Sequence, residues 1–396
     1  MNMGTSANDK DRFFAHLAPD VYLEETFRLP RSYVFTTGVP VFLGLMSRPS
    51  ESVLREVKPV PHMLSLWAHF GRYIGSPSKD CSLAFAVRGF FENGGRRCYV
   101  AVLKDSSAES LVDGLEAISH MNTIDLVCAP DLVRKPSTAF ELQQLVVNHC
   151  DTVGDRFAIL DSRLGDSNDH VWEQWSQIDG KNGAIYYPWL RVHGFDGDAV
   201  LIPPCGYVAG VYARTDYARG VHKAPANESL NGVLGLERLL TSYDQAYLNP
   251  KRINCIRSFP GRGIRIWGAR TLSGDDAWTY VNVRRLFLTA VRWIGWHMDP
   301  VVFEPNDAKL WARIERELTS YFLTVYRWGA LKGRTPQEAF YVKCNAQTNP
   351  PEVRELGYVV TEVGLAPAVP YEFVVVRLIH GASGVSISGP VRPEQN

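Results

Sequence analysis

Neither sign of charge is in surplus: Lys plus Arg and Asp plus Glu each number 42 in 396 residues, so the formal net charge is zero. No global field draws the chain toward nucleic acid or an anionic membrane, and the self-repulsion that keeps proteins apart is missing. Closely spaced cysteines are lacking too. Cys81, Cys98, Cys128, Cys150, Cys205, Cys255 and Cys344 are never nearer than seventeen residues, which excludes a zinc ribbon or a CxxC redox pair. Their odd number and apolar surroundings, as in CYVAVL and LVCAP, predict reduced core thiols in a protein folded in the cytosol. The ten histidines include no HExxH, and no metal centre is expected. The opening MNMGTSANDKDRFF has no apolar signal-peptide core, and no run of eighteen apolar residues occurs. Neither signal-directed export nor a membrane span is expected.

What is present is ordinary globular material, 45% hydrophobic and 21% charged, long enough for two or three domains. VYLEETF, Val21 to Phe27, alternates as a strand does, with Glu25 its one interruption. From Val34 to about Leu190, apolar runs (VFLGL, CYVAVL, IDLVCAP, RFAILD, AIYYPWL) alternate with helical stretches at Met63 to Ile74, Leu83 to Asn93, Ala108 to Met121, Thr138 to His149 and Val171 to Gln177. That texture predicts a mainly parallel sheet covered on both faces. Near Pro203 the chain turns rich in Gly and Pro (PPCGYVAGVYARTD, RGVHKAPANE), read as connecting loops. Short strands follow in IRSFPGRGIRIWGA. A helix is expected over Tyr280 to His297, and a second over Asp307 to Trp328, ended by Gly329. Strands at FYVKC and YEFVVVRLI then precede a Gly/Ser/Pro-rich tail expected to be disordered.

Signs of catalysis are weak. The α/β pattern suggests a nucleotide-binding enzyme, but VFLGL leads into MSRPSESV rather than a glycine fingerprint, and GxxxxGK[ST] is absent. FENGGRRC resembles an anion loop, yet it follows a helix and precedes a strand, so a helix-capping glycine at Gly94 or Gly95 is the plainer reading. In FPGRGIRIWGAR, Arg262, Arg265 and Arg270 stand beside glycines. Alternation puts Ile264 and Ile266 on one side and Arg265 and Trp267 on the other, as in a strand. Asp161, Asp216, Asp275 and Asp276 form no acid/base pair by spacing and read as turn or capping residues.

The last third strings together LNPKRINCIRSFPGRGIRIWGAR, WTYVNVRRL, VVFEPND, GALKGRTPQEAFYVKC and GYVVTEVGLAPAVPYEFVVVRL. In this order and spacing these segments closely resemble the C-terminal domain of contractile tail sheath proteins, especially the short sheaths of antifeeding-prophage-type injection systems. LAPDVYLEETF, VRGFFENGGRRCYV and DRFAILDSR are similar to other parts of that family, although Asp20 stands where glycine is usual.

The resemblance implies an α/β plus α+β protein: an N-terminal arm (1–30), an outer α/β domain (31–245), an inner α+β domain (246–380) and a flexible tail (381–396). It implies a structural, non-enzymatic subunit without cofactor, catalytic residues or metal, polymerising helically around an inner tube and contracting. Its partners would be copies of itself, the tube protein, and baseplate and cap proteins, with neither nucleic acid nor membrane insertion. Assembly would occur in the bacterial cytoplasm, into a phage tail or contractile particle. The inter-subunit arms would carry Val21, Tyr22, Leu23 and Phe27 at one end and Tyr371, Phe373, Val375, Arg377 and Ile379 at the other. YEFVVVRLI could equally be a central strand of its own domain. On the first long helix Arg285 and Arg292 lie seven apart with Arg284 on the flank, a stripe that could meet acidic groups on a tube or be paired internally. A nucleotide-binding enzyme, and a baseplate-proximal or capping sheath paralogue, are the alternatives.

Overall fold

A computed structural model describes residues 36–56, 58–134, 137–301, 303–368, 374–381 and 384–391. From Thr36 onward the chain makes one unit. Its first twelve strands are β1 (Pro40–Gly44), β2 (His62–Leu64), β3 (Cys98–Val102), β4 (Leu126–Cys128), β5 (Phe157–Asp161), β6 (Gly183–Tyr187), β7 (Leu190–His193), β8 (Ala199–Ile202), β9 (Glu228–Ser229), β10 (Val233–Leu236), β11 (Ile253–Phe259) and β12 (Gly263–Ile266). Nine of these form one sheet in the order β2-β3-β1-β4-β5-β6-β11-β12-β9. The six from β3 to β11 run parallel, with antiparallel strands at both ends. β7, β8 and β10 make a small antiparallel sheet. β1, β5 and β6 are buried at every position, as strands covered on both faces must be.

Seven helices of ten residues or more are described: α1 (Ser82–Glu92), α2 (Ala108–Ile118), α3 (Ala139–Val153), α4 (Asn168–Gln177), α5 (Cys205–Arg219), α6 (Val281–Met298) and α7 (Ala308–Arg327). Side chains of α1 and α5 pack into one core layer with Phe42, Phe157 and Ile256. Those of α2, α3 and α4 pack into the other, with Val41, Ile159's neighbours Ala158 and Leu160, and Cys255. All seven cysteines are buried and unpaired. No described helix is long and apolar enough to cross a membrane.

Three local readings are corrected. PPCGYVAGVYARTD, expected as loops, is the helix α5. It is buried nearly all round, which erases the apolar stripe that reveals a surface helix, and its glycines serve contact. A Cβ on Gly206 would lie 2.2 Å from the Ala86 carbonyl oxygen of α1, and one on Gly210 would lie 2.6 Å from that of Phe90. The stretch expected as a helix from Met63 splits into β2 and a short helix, Ala68–Tyr73, because the open edge of β3 takes residues 62–64 into the sheet. Finally, β11 and β12 lie beyond the boundary expected at 245/246, yet they extend the large sheet, β11 by pairing with β6 and β12 by pairing with β11.

Beyond the sheet, α6 and α7 begin and end close to expectation. Asp307 caps α7 by accepting from the Lys309 and Leu310 amides, and Gly329 at φ 76° follows the last turn. Trp311, Ile314, Leu318, Phe322 and Val325, the apolar face of α7, are all buried.

Candidate assembly site

The last four strands, β13 (Phe340–Lys343), β14 (Val359–Leu365), β15 (Val374–Gly381) and β16 (Gly384–Val391), form an antiparallel sheet in that order. Val375, Arg377 and Ile379 lie on β15 opposite Gly364, Glu362 and Val360 of β14. β15 is thus a central strand within this chain, with β16 on its other side. The segment expected as a flexible tail from 381 contributes β16. It pairs antiparallel with β15, and composition rich in Gly and Ser concealed the pairing. Tyr371 and Phe373, and Val21, Tyr22, Leu23 and Phe27, lie outside the described residues.

Packing carries this small sheet to the large one in two steps. Phe322 of α7 meets Phe340 of β13 with ring centroids 5.9 Å apart, and Tyr321 of α7 stacks on Trp293 of α6 at 3.9 Å. α6 then reaches the large sheet through its arginines. Arg285 donates to both oxygens of Asp216 on α5, at 2.9 and 2.6 Å, and to Asp125 just before β4, at 2.9 Å. Asp125 in turn accepts from the Gly38 and Val39 amides. Burial pulls the Arg285 guanidinium toward neutrality, but the two carboxylates more than offset it and its pKa is raised. Arg292 donates to the Thr36 and Asn122 carbonyls, and Arg284 to Asn182 Oδ1.

These contacts turn Arg285 and Arg292 of the stripe considered for tube contact into the fold. Arg285 and Arg292 are 2% and 6% exposed, and a guanidinium already satisfied inside the fold cannot reach a separate tube. Instead, Arg292 directly and Arg285 through Asp125 hold residues 36–39, just ahead of β1. Of the two readings of the stripe, the internally paired one describes Arg285. The partners Asp125 and Asp216 are 160 and 69 positions away, and no local signal in the sequence joins them.

The switch point of such a sheet carries a carboxylate of the protein itself. Strand order reverses between β1 and β4, and ligands of open α/β folds bind at the carboxyl ends of strands at such a point. Here Asp131 follows β4, accepts from the Leu45 amide at 2.9 Å and lies 3.6 Å from Arg134. A Cβ on Gly44 would come within 2.7 Å of Asp131 Oδ2. The protein's own carboxylate therefore holds the amide at the end of β1. Gly94, at φ 99°, follows α1 as the capping glycine of FENGGRRC.

The comparisons with known proteins agree with this architecture. The model of the phage tail sheath protein central domain matches residues 104–272. A chain of the anti-feeding prophage (AFP) helical sheath in its contracted state is 32% identical, with TM-score 0.71 over 90% of this chain and 97% of that one. A chain of the PVC sheath complex, an extracellular contractile injection system in its contracted state, is 29% identical, with TM-score 0.72 over 90% and 96%. The tail sheath protein of Salmonella phage ViI is 28% identical over 269 residues, 65% of this chain and 42% of the relative. This chain belongs to the contractile tail sheath family, a family of structural proteins. It spans less than half the length of the curated relatives it matches.

Proposed function

We propose that the chain is the repeating subunit of a contractile sheath, which polymerises helically around an inner tube and contracts to drive that tube through a target envelope. The observation that carries this reading is the likeness to a contracted AFP sheath chain along 97% of its length. A contact that repeats by rotation and rise without closing gives a cylinder. Contraction is then a cooperative change between two packings of rigid subunits, needing neither cofactor nor catalysis. Residues 31–245, with β11 and β12, form the outward part and the rest of 246–380 the inward part. Val21 to Phe27 act as an arm that pairs with a strand edge of a neighbouring copy, since an unpaired strand edge is an assembly device in a polymer; Tyr371 to Ile379, whose β15 part has β14 on one side and β16 on the other, act as the second arm by exchanging one of these pairings with a neighbour. Assembly takes place in the bacterial cytoplasm, with a tube protein inside and baseplate and cap proteins at the ends.

Negative-stain microscopy of the expressed chain tests the reading. Striated cylinders are expected, and a protein that remains monomeric at all concentrations and salts would overturn it. A second reading, a baseplate-proximal subunit present in few copies, is favoured by the 31% identity to a chain of the AFP baseplate. Counting copies per particle decides between the two.

A further inference from the structure

Charge in this chain balances overall but not locally. In the β11–β12 hairpin, Arg257 stands directly opposite Arg265, a position where like charges repel. Exposed Arg262 adds a third cation at the turn. All three hydrogen-bond neutral groups. Arg257 donates to the Leu240 carbonyl and Ser242 Oγ, Arg262 to Asn227 Oδ1, and Arg265 to the Arg262 and Asn227 carbonyls. Among the described residues no carboxylate pairs with any of them. Phe259 and Trp267, with rings 4.5 Å apart, support the cluster: Arg257 lies 5.2 Å and Arg262 5.7 Å from the Phe259 ring. Stacked guanidinium groups are held in place before any partner arrives, which lowers the ordering cost of binding.

The complementary charge lies at the opposite end of the same sheet. Glu109, Asp113 and Glu116 share the outer face of α2, spaced four and three apart. Lys58 answers only Asp113 and Glu116, at 3.9 and 3.4 Å. The inner face of α2, with Leu111, Leu115 and Ile118, packs in the same core layer as Ile253 and Cys255 of β11, so both features belong to one face of the sheet. From β3, which leads into α2, to β12 is six strand spacings, roughly 30 Å at about 4.8 Å each. That is about three Debye lengths at 0.1 M salt, so the two clusters do not neutralise each other within one molecule.

We propose that the arginine hairpin β11–β12 docks on the acidic face of α2 in a neighbouring copy of this chain. The contact is heterologous, one end of a sheet meeting the other end of the next, and so propagates rather than closing on itself. A second copy fits better than a nucleic acid because the chain carries the complementary surface itself and has no net positive charge. The proposal rests on the reading of the chain as a sheath subunit.

The test is made on the full chain, measuring the sedimenting assembled fraction at 50 and 500 mM salt. Arg262→Glu with Arg265→Glu should lower assembly at least tenfold at low salt, with the melting temperature of the unassembled protein unchanged. Glu109→Arg with Glu116→Arg, on a distant surface, should cause the same loss, and all four changes together should restore assembly. Normal assembly of either charge-reversed pair, or no recovery in the fourfold variant, would overturn the proposal. So would an oligonucleotide that binds the wild type and is lost from a hairpin variant that still assembles. A wild type that never assembles defeats the sheath reading as well, whereas an assembling wild type with assembling variants defeats this contact alone.

Discussion

Arg285 grips Asp216 through two nitrogens, across 69 positions of sequence and in a site nearly closed to water. The pair joins α6 to α5, and Asp125 extends the join to the start of β4 and to Gly38 and Val39 just ahead of β1. On the sheath reading proposed above, this fastening of the helical part to the sheet lets the subunit move as one body when neighbours shift.

Removing one partner should therefore be costly. Arg285→Met leaves two buried carboxylates without their cation, and breaking a buried pair in this way costs about 3–5 kcal/mol. Denaturant unfolding of the monomer measures it; a loss below about 1 kcal/mol would show that the pair is not a fastening.

Two glycines in helices should behave oppositely. Gly206→Ala drives a methyl group into the Ala86 backbone of α1 and should destabilise by about 1–3 kcal/mol or more, as overpacking does. Gly295, within α6, has no atom beyond its own turn of helix within 4 Å of its would-be Cβ. Gly295→Ala should raise stability by about 0.5–1 kcal/mol. Equal responses of the two variants in thermal unfolding would mean that α5 does not press on α1 as described.

Asp161 should leave a mark on the pH profile. Burial pushes its carboxyl up to about 7, although the Cys205 amide and thiol pull it down. The unfolded carboxyl titrates near its ordinary value of 3.8. Between about pH 4 and 7 the folded state holds a proton that the unfolded state has lost, so this group lowers stability as pH rises through that window. Asp161→Asn should remove that slope and gain stability relative to wild type at pH 8 but not at pH 4. His149, lowered to about 4 by burial and by Arg156, acts in both proteins and cancels in the difference. Parallel stability curves for the two proteins would count against the raised carboxyl.

The arms are tested by slack and by deletion. Three polar residues inserted between Arg31 and Ser32 add roughly 10 Å of extended chain. Such a subunit should assemble but remain in its extended form under a trigger that contracts the wild type; normal contraction would exclude a tensioned arm. Ending the chain before Tyr371 removes both β15 and β16 and should abolish regular cylinders. Ending it after Gly381 removes β16 alone, opening one edge of β15, and should alter assembly rather than pass unnoticed.

Much of the fold is legible in the residue order because it depends on local physics. Period two and buried apolar runs marked β1, β3, β5 and β6. Asp307 and Gly329 marked the ends of α7, and the resemblance of several segments in the last third marked the family. What stayed hidden depends on contacts far apart in the chain. A helix buried on all sides, α5, has no stripe to read, and its glycines look like a loop until α1 is placed against them. Strands β11 and β12 read as strands, but nothing local says that they complete the sheet of the first half. The arginines of α6 form the same surface-like stripe whether they face a tube or a buried carboxylate. Sequence alone determined where the elements with an apolar stripe, a buried apolar run or a capping residue form, and which family the chain resembles. Tertiary structure alone decided which charges are buried, because the partners of a charge are set by chain segments that meet only on folding.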